Sequence, residues 1–164
     1  MKTLLLIRHA KSSWGDASIS DFDRPLNERG KHDALIIAQR IMDKGIRIDA
    51  LISSPAKRAK KTAGLMMKKL VEDEKKLIQI SALYEAPESN FFDVIETLDD
   101  KFDSVAIVAH NPGITNFINA LNCHPIVNMP TCAVYAIRIK GDKWIDFKKS
   151  QKEFLFFDFP KNEN

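Results

Sequence analysis

Three short stretches carry side chains suited to holding and attacking a phosphoryl group. Arg8-His9 closes the apolar run Leu4-Leu5-Leu6-Ile7; Ser53-Ser54-Pro55 follows Ala50-Leu51-Ile52 and leads on to Arg58; His110-Asn111-Pro112-Gly113 closes Val105-Ala106-Ile107-Val108-Ala109. Two guanidinium groups can grip the oxygens of an anion in bidentate fashion, and a helix N-terminus adds backbone donors and a favourable dipole. An imidazole with one nitrogen free can attack phosphorus, provided an acceptor holds the proton on the other nitrogen. Two histidines in an anion site are more than binding requires. His9 is the natural nucleophile, because a residue directly after a strand can be held by backbone carbonyls. His110 would then donate to the phosphoryl oxygens as charge redistributes, together with Arg8 and Arg58. The plainer alternative is that Arg8 and His9 only mark the solvated end of a strand.

These residues converge only if the elements behind them do. Apolar runs predict strands over residues 3–7, 48–53 and 105–109, with a weaker one over 77–82. A helix is predicted from Asn27 as N-cap to a stop at Gly45, with Ala34, Leu35, Ile37, Ala38, Ile41 and Met42 as its apolar face. Others are predicted over 56–71, from Pro87 with Phe91, Val94, Ile95 and Leu98 inward, and from Pro112 with Asn111 as cap and Ile114, Phe117, Ile118 and Leu121 inward. Residues 132–139 and 143–149 look like a hairpin across Gly141-Asp142, and the aromatic tail 154–160 should pack back on the body, with 161–164 frayed. Strands alternating with helices imply an α/β fold with a mainly parallel sheet and helices on both faces, the closing hairpin adding an antiparallel strand. In such sheets ligands bind at the carboxyl ends of the strands, where all three stretches lie.

At 164 residues, 45% hydrophobic and 29% charged, the chain is expected to form a single domain, residues 1–164. No apolar run approaches the roughly 20 residues of a membrane span, and residues 4–7 are too short for a secretory signal core, so a cytoplasmic location and no membrane partner are expected. Cys123 and Cys132 form no spaced metal motif and read as small core residues. The net charge of +3 suits an anionic ligand. Nucleic acid is not indicated: the densest basic run, Lys57-Arg58-Ala59-Lys60-Lys61, opens a helix whose Ala59, Ala63, Met66, Met67 and Leu70 form a buried stripe, which makes most of those lysines its solvated face. With neither a Gly-rich phosphate loop nor a metal cluster in the sequence, a covalent route with no metal and no cofactor is the simplest that the residues permit.

Taken together, the three strand-end motifs, with Thr62 after Arg58, resemble the histidine phosphatase (phosphoglycerate mutase-like) superfamily. The short length, Ala10 where many members have glycine, and the stretch Asp21-Phe22-Asp23-Arg24-Pro25-Leu26-Asn27-Glu28-Arg29-Gly30 look most like the SixA-type phosphohistidine phosphatases. The resemblance spans nearly the whole chain. It implies a three-layer α/β/α fold in which His9 is transiently phosphorylated and then discharged by water, with Arg8, Arg58 and His110 completing the phosphate pocket and Asn111 beside His110 in the substrate-binding set.

Arg24 matches the arginine of the family's Arg-Pro-Leu segment; it either reaches the pocket from the long loop or ties that loop to Asp21 or Asp23. Glu85 lies near the position where larger members place a carboxylic acid that protonates an alkoxide leaving group. SixA-type enzymes resemble a case without it, since a phosphohistidine's leaving imidazole is protonated near its pKa of about 6.5. Glu85 is thus either a general acid or a pocket-rim carboxylate. Trp14 either covers the pocket mouth or anchors the loop, with anchoring favoured. Lys11 and Ser12 either add donors to phosphate or, as favoured, are exposed loop positions; His32 reads as solvated and His124 as a helix C-terminal cap. The substrate implied is phosphohistidine in a protein. The alternatives are a small phosphate ester, handled by a phosphomonoester phosphatase or a mutase-like phosphotransferase, and a non-catalytic phosphate-binding module or phosphocarrier.

Overall fold

The computed structural model describes residues 1–71, 73 and 77–162. Its centre is β1 (Lys2–Arg8), whose Leu4, Leu5, Leu6 and Ile7 are all fully buried. Side chains alternate across a strand, so an unbroken apolar run requires cover on both faces. Leu4 and Leu6 point into one core and Leu5 and Ile7 into the other. The strand β4 (Ser104–Ala109) repeats the pattern, with Val105 and Ile107 on the first side and Ala106 and Val108 on the second. Each fully buried aliphatic side chain stabilises the fold by about 1.5–3 kcal/mol.

Helices α1 (Glu28–Asp43) and α2 (Lys57–Leu70) cover the second core, while α3 (Glu88–Glu96) and α4 (Gly113–Ala120) cover the first. The strands β2 (Ala50–Ser53), β3 (Leu77–Gln79), β5 (Val134–Ile139) and β6 (Lys152–Asp158) complete the sheet among the described residues, in the order β3-β2-β4-β1-β5-β6. The first four of these run parallel and β5 is antiparallel to both its neighbours. Helix α1 begins as expected, with the Asn27 side chain accepting from Gly30 N–H at 2.8 Å, and ends before Gly45, which takes φ +75°. Two expected members of its inner face, Leu35 and Met42, are instead exposed at the margin of the apolar stripe. Among the described residues no helix is long and apolar enough to cross a membrane.

The last third departs most from expectation. Residues 143–149 do not form a strand; Trp144–Asp146 is a 3-10 turn. Its geometry follows from two bonds that hold Trp144 beneath the sheet: its backbone N–H donates to Asp100 Oδ1 at 2.8 Å and its indole N–H to Phe102 O at 2.9 Å. Trp144 and Phe147 share the turn's inner side, while Ile145 stays 61% exposed. The strand that pairs with β5 is the aromatic tail itself, β6, with a register shift between Ala136 and Ile137. Asn162 is not frayed: it turns back on the end of the tail, its N–H donating to Phe159 O at 2.9 Å and its side chain to Asp158 Oδ1 at 3.2 Å, while Lys161 is exposed. Residues 163–164 lie outside the described residues. Asn111 does not cap α4; Pro112 takes that position after a cis Asn111-Pro112 bond.

Candidate active site

Parallel pairing places the ends of β1, β4 and β2 side by side. The ladder extends past them, with His9 N–H donating to Ala109 O at 3.0 Å and Ser54 N–H to Val108 O at 3.0 Å. Arg8, His9, Arg24, Arg58, Glu85, His110 and Asn111, all the expected site residues, line one cavity of about 440 Å³.

His9 is 6% exposed. Its Nδ1 lies 2.7 Å from Ala10 O. A carbonyl oxygen only accepts, so Nδ1 carries the proton and Nε2 keeps its lone pair. In agreement, Nε2 accepts from Arg58 Nε at 3.4 Å. Burial is the main reason that the His9 imidazole is held down to about 3, and the positive charges of Arg58 and Arg8 act in the same direction while the Ala10 hydrogen bond opposes them. The ring is therefore neutral near pH 7. The backbone around it is fixed twice: Ala10 N–H donates to Thr62 Oγ1 at 3.0 Å, and Cys132 N–H contacts both Arg8 O and His9 O.

His110 stands 5.1 Å from His9 between ring centroids. Its Nε2 is 2.7 Å from Ser54 Oγ, and burial first, then Arg58, lowers its pKa to about 4. Its Nδ1 is buried without a partner, as are Arg8 Nε and Arg24 Nε. Buried polar atoms nearly always find partners. Among the described residues these three side-chain exceptions all belong to the lining of one cavity.

Asp21 ties the arginines together. Arg58 donates to its backbone O at 2.6 Å and to Oδ2 at 3.1 Å, Arg24 donates to Oδ1 at 3.2 Å, and the Tyr84 hydroxyl donates to Oδ2 at 2.7 Å. The Tyr84 bond is the largest cause that holds the Asp21 carboxyl down to about 2, and the same bond pushes the Tyr84 hydroxyl up to about 12. Arg24 also donates to Ser12 Oγ and stacks on Trp14, 3.7 Å from the ring centroid. Both readings of Arg24 hold at once: it lines the cavity and pairs with Asp21.

Arg8, His9, Arg24 and Arg58 fall within a sequence pattern that recurs elsewhere, whereas His110 lies beyond its end. The profile of the histidine phosphatase superfamily (branch 1) matches residues 4–86, just over half of the chain. The chain belongs to the histidine phosphatase superfamily. A chloroplastic Arabidopsis thaliana protein is 26% identical over 151 residues, covering 87% of this chain and 69% of that protein. The 2,3-bisphosphoglycerate-dependent phosphoglycerate mutase of Bartonella bacilliformis is 30% identical over 86 residues, which is 51% of this chain and 42% of the mutase. The crystal structure of a protein assigned as the phosphohistidine phosphatase SixA from Agrobacterium tumefaciens superposes with a TM-score of 0.78 at 25% identity, covering 95% of this chain and 97% of that one. The α/β fold is accordingly that of the phosphoglycerate mutase-like histidine phosphatases, and the chain is a phosphatase-type enzyme.

Within this superfamily's site, Glu85 is exposed on the cavity wall with φ +51°, and Asn111 reaches the wall while bonding to Asn128, Met129 O and Thr115. Among the described residues no group of three or more His, Cys, Asp or Glu side chains is placed to hold a metal ion. Ser12 corrects its expectation, being buried beside Arg24 and bridged to Leu26. Trp14 is 79% exposed at the cavity rim and its only anchoring contact among the described residues is its stacking with Arg24, so it shares both readings. His124 is no cap, since its ring stacks on Phe154 at 3.9 Å. His32 is exposed, as expected. Asp21 was expected only as a tether for Arg24, and Tyr84 and Thr131 were missed as cavity residues; the acid three residues before Arg24 was the one available signal, and Thr131 carried none.

Proposed function

We propose that the protein hydrolyses a phosphoryl group through phospho-His9 without a metal, and that phosphohistidine in a protein is the substrate that suits the site best. One observation carries this reading: the Nδ1 bond to Ala10 O leaves His9 Nε2 unprotonated inside a cavity walled by Arg8, Arg58, Arg24 and His110. Nε2 attacks phosphorus, the phosphorus bond to the substrate's imidazole nitrogen breaks, and that nitrogen leaves with a proton already on the ring. Water then attacks the phosphorus of phospho-His9, orthophosphate departs, and His9 regains its lone pair. Arg8 and Arg58 hold the equatorial oxygens as charge spreads over them, and His110 donates to them once an anion has raised its pKa. The likeness to the Agrobacterium protein supports the substrate assignment. His9→Ala should abolish turnover, and alkaline quenching of the wild-type reaction should trap phosphate on His9 by mass spectrometry. Appreciable turnover by His9→Ala sinks the reading.

A second reading is favoured by Glu85 on the cavity wall: hydrolysis or transfer of a small phosphate ester, whose alkoxide needs a proton donor. The mutase relative belongs to this class by name. Glu85→Gln should then lower the rate on an alkyl phosphate while sparing a phosphohistidine peptide. Loss on neither substrate removes the second reading.

A further inference from the structure

Beside the cavity lies a groove of about 630 Å³ that the chemistry above does not use. The two share one segment. Asp21 and Arg24 face the cavity, while Phe22, Asp23, Pro25 and Leu26 face the groove. They share a helix as well, since α2 sends Arg58 into the cavity and Lys57, Lys60, Lys61 and Lys68 along the groove. The floor between is apolar, made by Phe22, which is 39% exposed, with Pro55 and Leu65.

The charge of this surface is unbalanced. Helix α2 carries six of the chain's 25 Lys and Arg and no Asp or Glu, so the rest of the chain, with all 22 acids, is net negative. Lys57, Lys60, Lys61 and Lys68 are exposed, and their ammonium groups have no acidic partner among the described residues; Asp23 is the lone acid of the groove's lining. Like charges gathered on one helix face destabilise it slightly, by the same rule that makes opposite pairs favourable. Buried functional arginines account for none of these four lysines.

We infer that this groove docks an acidic segment with apolar side chains on the phosphoprotein whose phosphohistidine enters the cavity, an inference that rests on the proposed phosphohistidine reading. Exposed cations attract the acidic segment and speed the encounter, and the apolar floor gives its side chains a place to bury. Continuity supplies the geometry: Phe22 on the floor packs edge-on against Tyr84 of the cavity wall, 5.2 Å between centroids. A polyanion such as RNA would meet the charge but has less use for Pro55 and Leu65, so a polypeptide is the better fit.

The test uses two phosphohistidine peptides that differ only in a flanking segment, one rich in Glu and Leu and one in Ser and Gly, together with free phosphohistidine. The wild type should turn over the acidic peptide with kcat/KM about tenfold above the neutral one, an advantage that fades as salt rises. Lys60→Glu/Lys61→Glu/Lys68→Glu should erase that preference, favour a Lys-flanked peptide, and act on free phosphohistidine within about twofold of wild type. Equal kcat/KM on the acidic and neutral peptides by the wild type overturns the docking surface, as does a triple variant that loses activity equally on free phosphohistidine. If no phosphohistidine substrate is turned over, the parent reading fails by itself. Docking is then judged by anisotropy of the labelled, unphosphorylated acidic peptide, whose binding the triple variant should lose. Retained binding by that variant, or stronger binding of a single-stranded RNA oligonucleotide than of the peptide, overturns it.

Discussion

The cavity and the groove use positive charge in opposite ways. In the cavity Arg58 is buried, and its guanidinium is committed to Asp21 O, Asp21 Oδ2 and His9 Nε2 before any ligand arrives. Along the groove, on the same helix, four lysines stand in solvent without acidic partners among the described residues. Charges that are desolvated and held in place act strongly on a developing charge at fixed distance, whereas exposed charges act weakly, over a longer range, and under screening by salt. One helix thereby offers a rigid face suited to chemistry and an adaptable face suited to recognition.

The sharpest way to break this contrast is to exchange the two kinds of cation. Arg58→Lys keeps the charge but loses the planar fork, and an ammonium cannot reach all three of its partners together. Turnover of an aryl phosphate should fall about 10²- to 10³-fold, the scale of a lost transition-state donor. Lys61→Arg, one turn along the helix but lining the groove and not the cavity, should leave it unchanged. A similar modest loss from both would show that position on the helix, not burial and hydrogen bonding, sets the effect.

Acid should also separate the two regions. His9 and His110 stay neutral in the folded protein down to about 3 and about 4, whereas an unfolded histidine takes its proton near 6.5. The unfolded chain therefore binds more protons below pH 6.5. Their contribution is complete above that pH and is lost as pH falls, by about 1.4 kcal/mol per pH unit for each ring. Urea unfolding at pH 7 and pH 5 should differ by about 2 kcal/mol per histidine, and His9→Ala should remove about half of the difference. NMR should show neither ring titrating between pH 8 and 5; a midpoint near 6.5 for either contradicts its desolvation.

The site was far more legible than the surface that frames it. Polar residues that end long apolar runs gave Arg8, His9 and His110, because a strand buried on both faces leaves few other places for such side chains. Arg58 was legible through Ser53-Ser54-Pro55 at the start of α2. Asp21 and Tyr84 were not, since their bond joins residues 63 apart in sequence and depends on how the long loop folds over the cavity. The hairpin failed for a different reason: Trp144 and Phe147 fit an extended strand and a turn equally well, and only contacts to Asp100 and Phe102 decide between them. The run Phe154 to Phe157 shows no alternation because β6 is half-buried on both faces, so its pattern did not look like an edge strand.

Between the two regions lies the loop, and its packing can be strained from a distance. A methyl group on Gly30 would sit 2.1 Å from Lys11 O, which already accepts from Asn27 N–H at 3.1 Å. Neither backbone can yield without moving the segment that follows His9. Gly30→Ala should cost about 1–3 kcal/mol by thermal unfolding and lower turnover on every substrate alike. A loss confined to acidic peptides would instead place the effect in the groove.

The smallest expected effect bears on Asp21, the residue that joins both regions. Its carboxylate is half-exposed and sits between Arg24 and Arg58, where an anionic substrate must compete with it for the same guanidinium groups. Two roles are therefore opposed: the charge repels the ligand, and the bonds hold the arginines in position. Asp21→Asn removes the charge and keeps a carbonyl acceptor and the side-chain shape, so it separates them. A partly solvent-screened charge is worth about 1 kcal/mol or less, hence tungstate or orthophosphate should bind up to about fivefold more tightly to the variant by calorimetry. The added affinity should vary little with acidic or neutral peptide flanks, because Asp21 faces the cavity and not the lysines. Weaker anion binding would mean that Asp21 matters chiefly as the brace that keeps Arg24 and Arg58 aimed, and the loop would then belong to the rigid face of the protein.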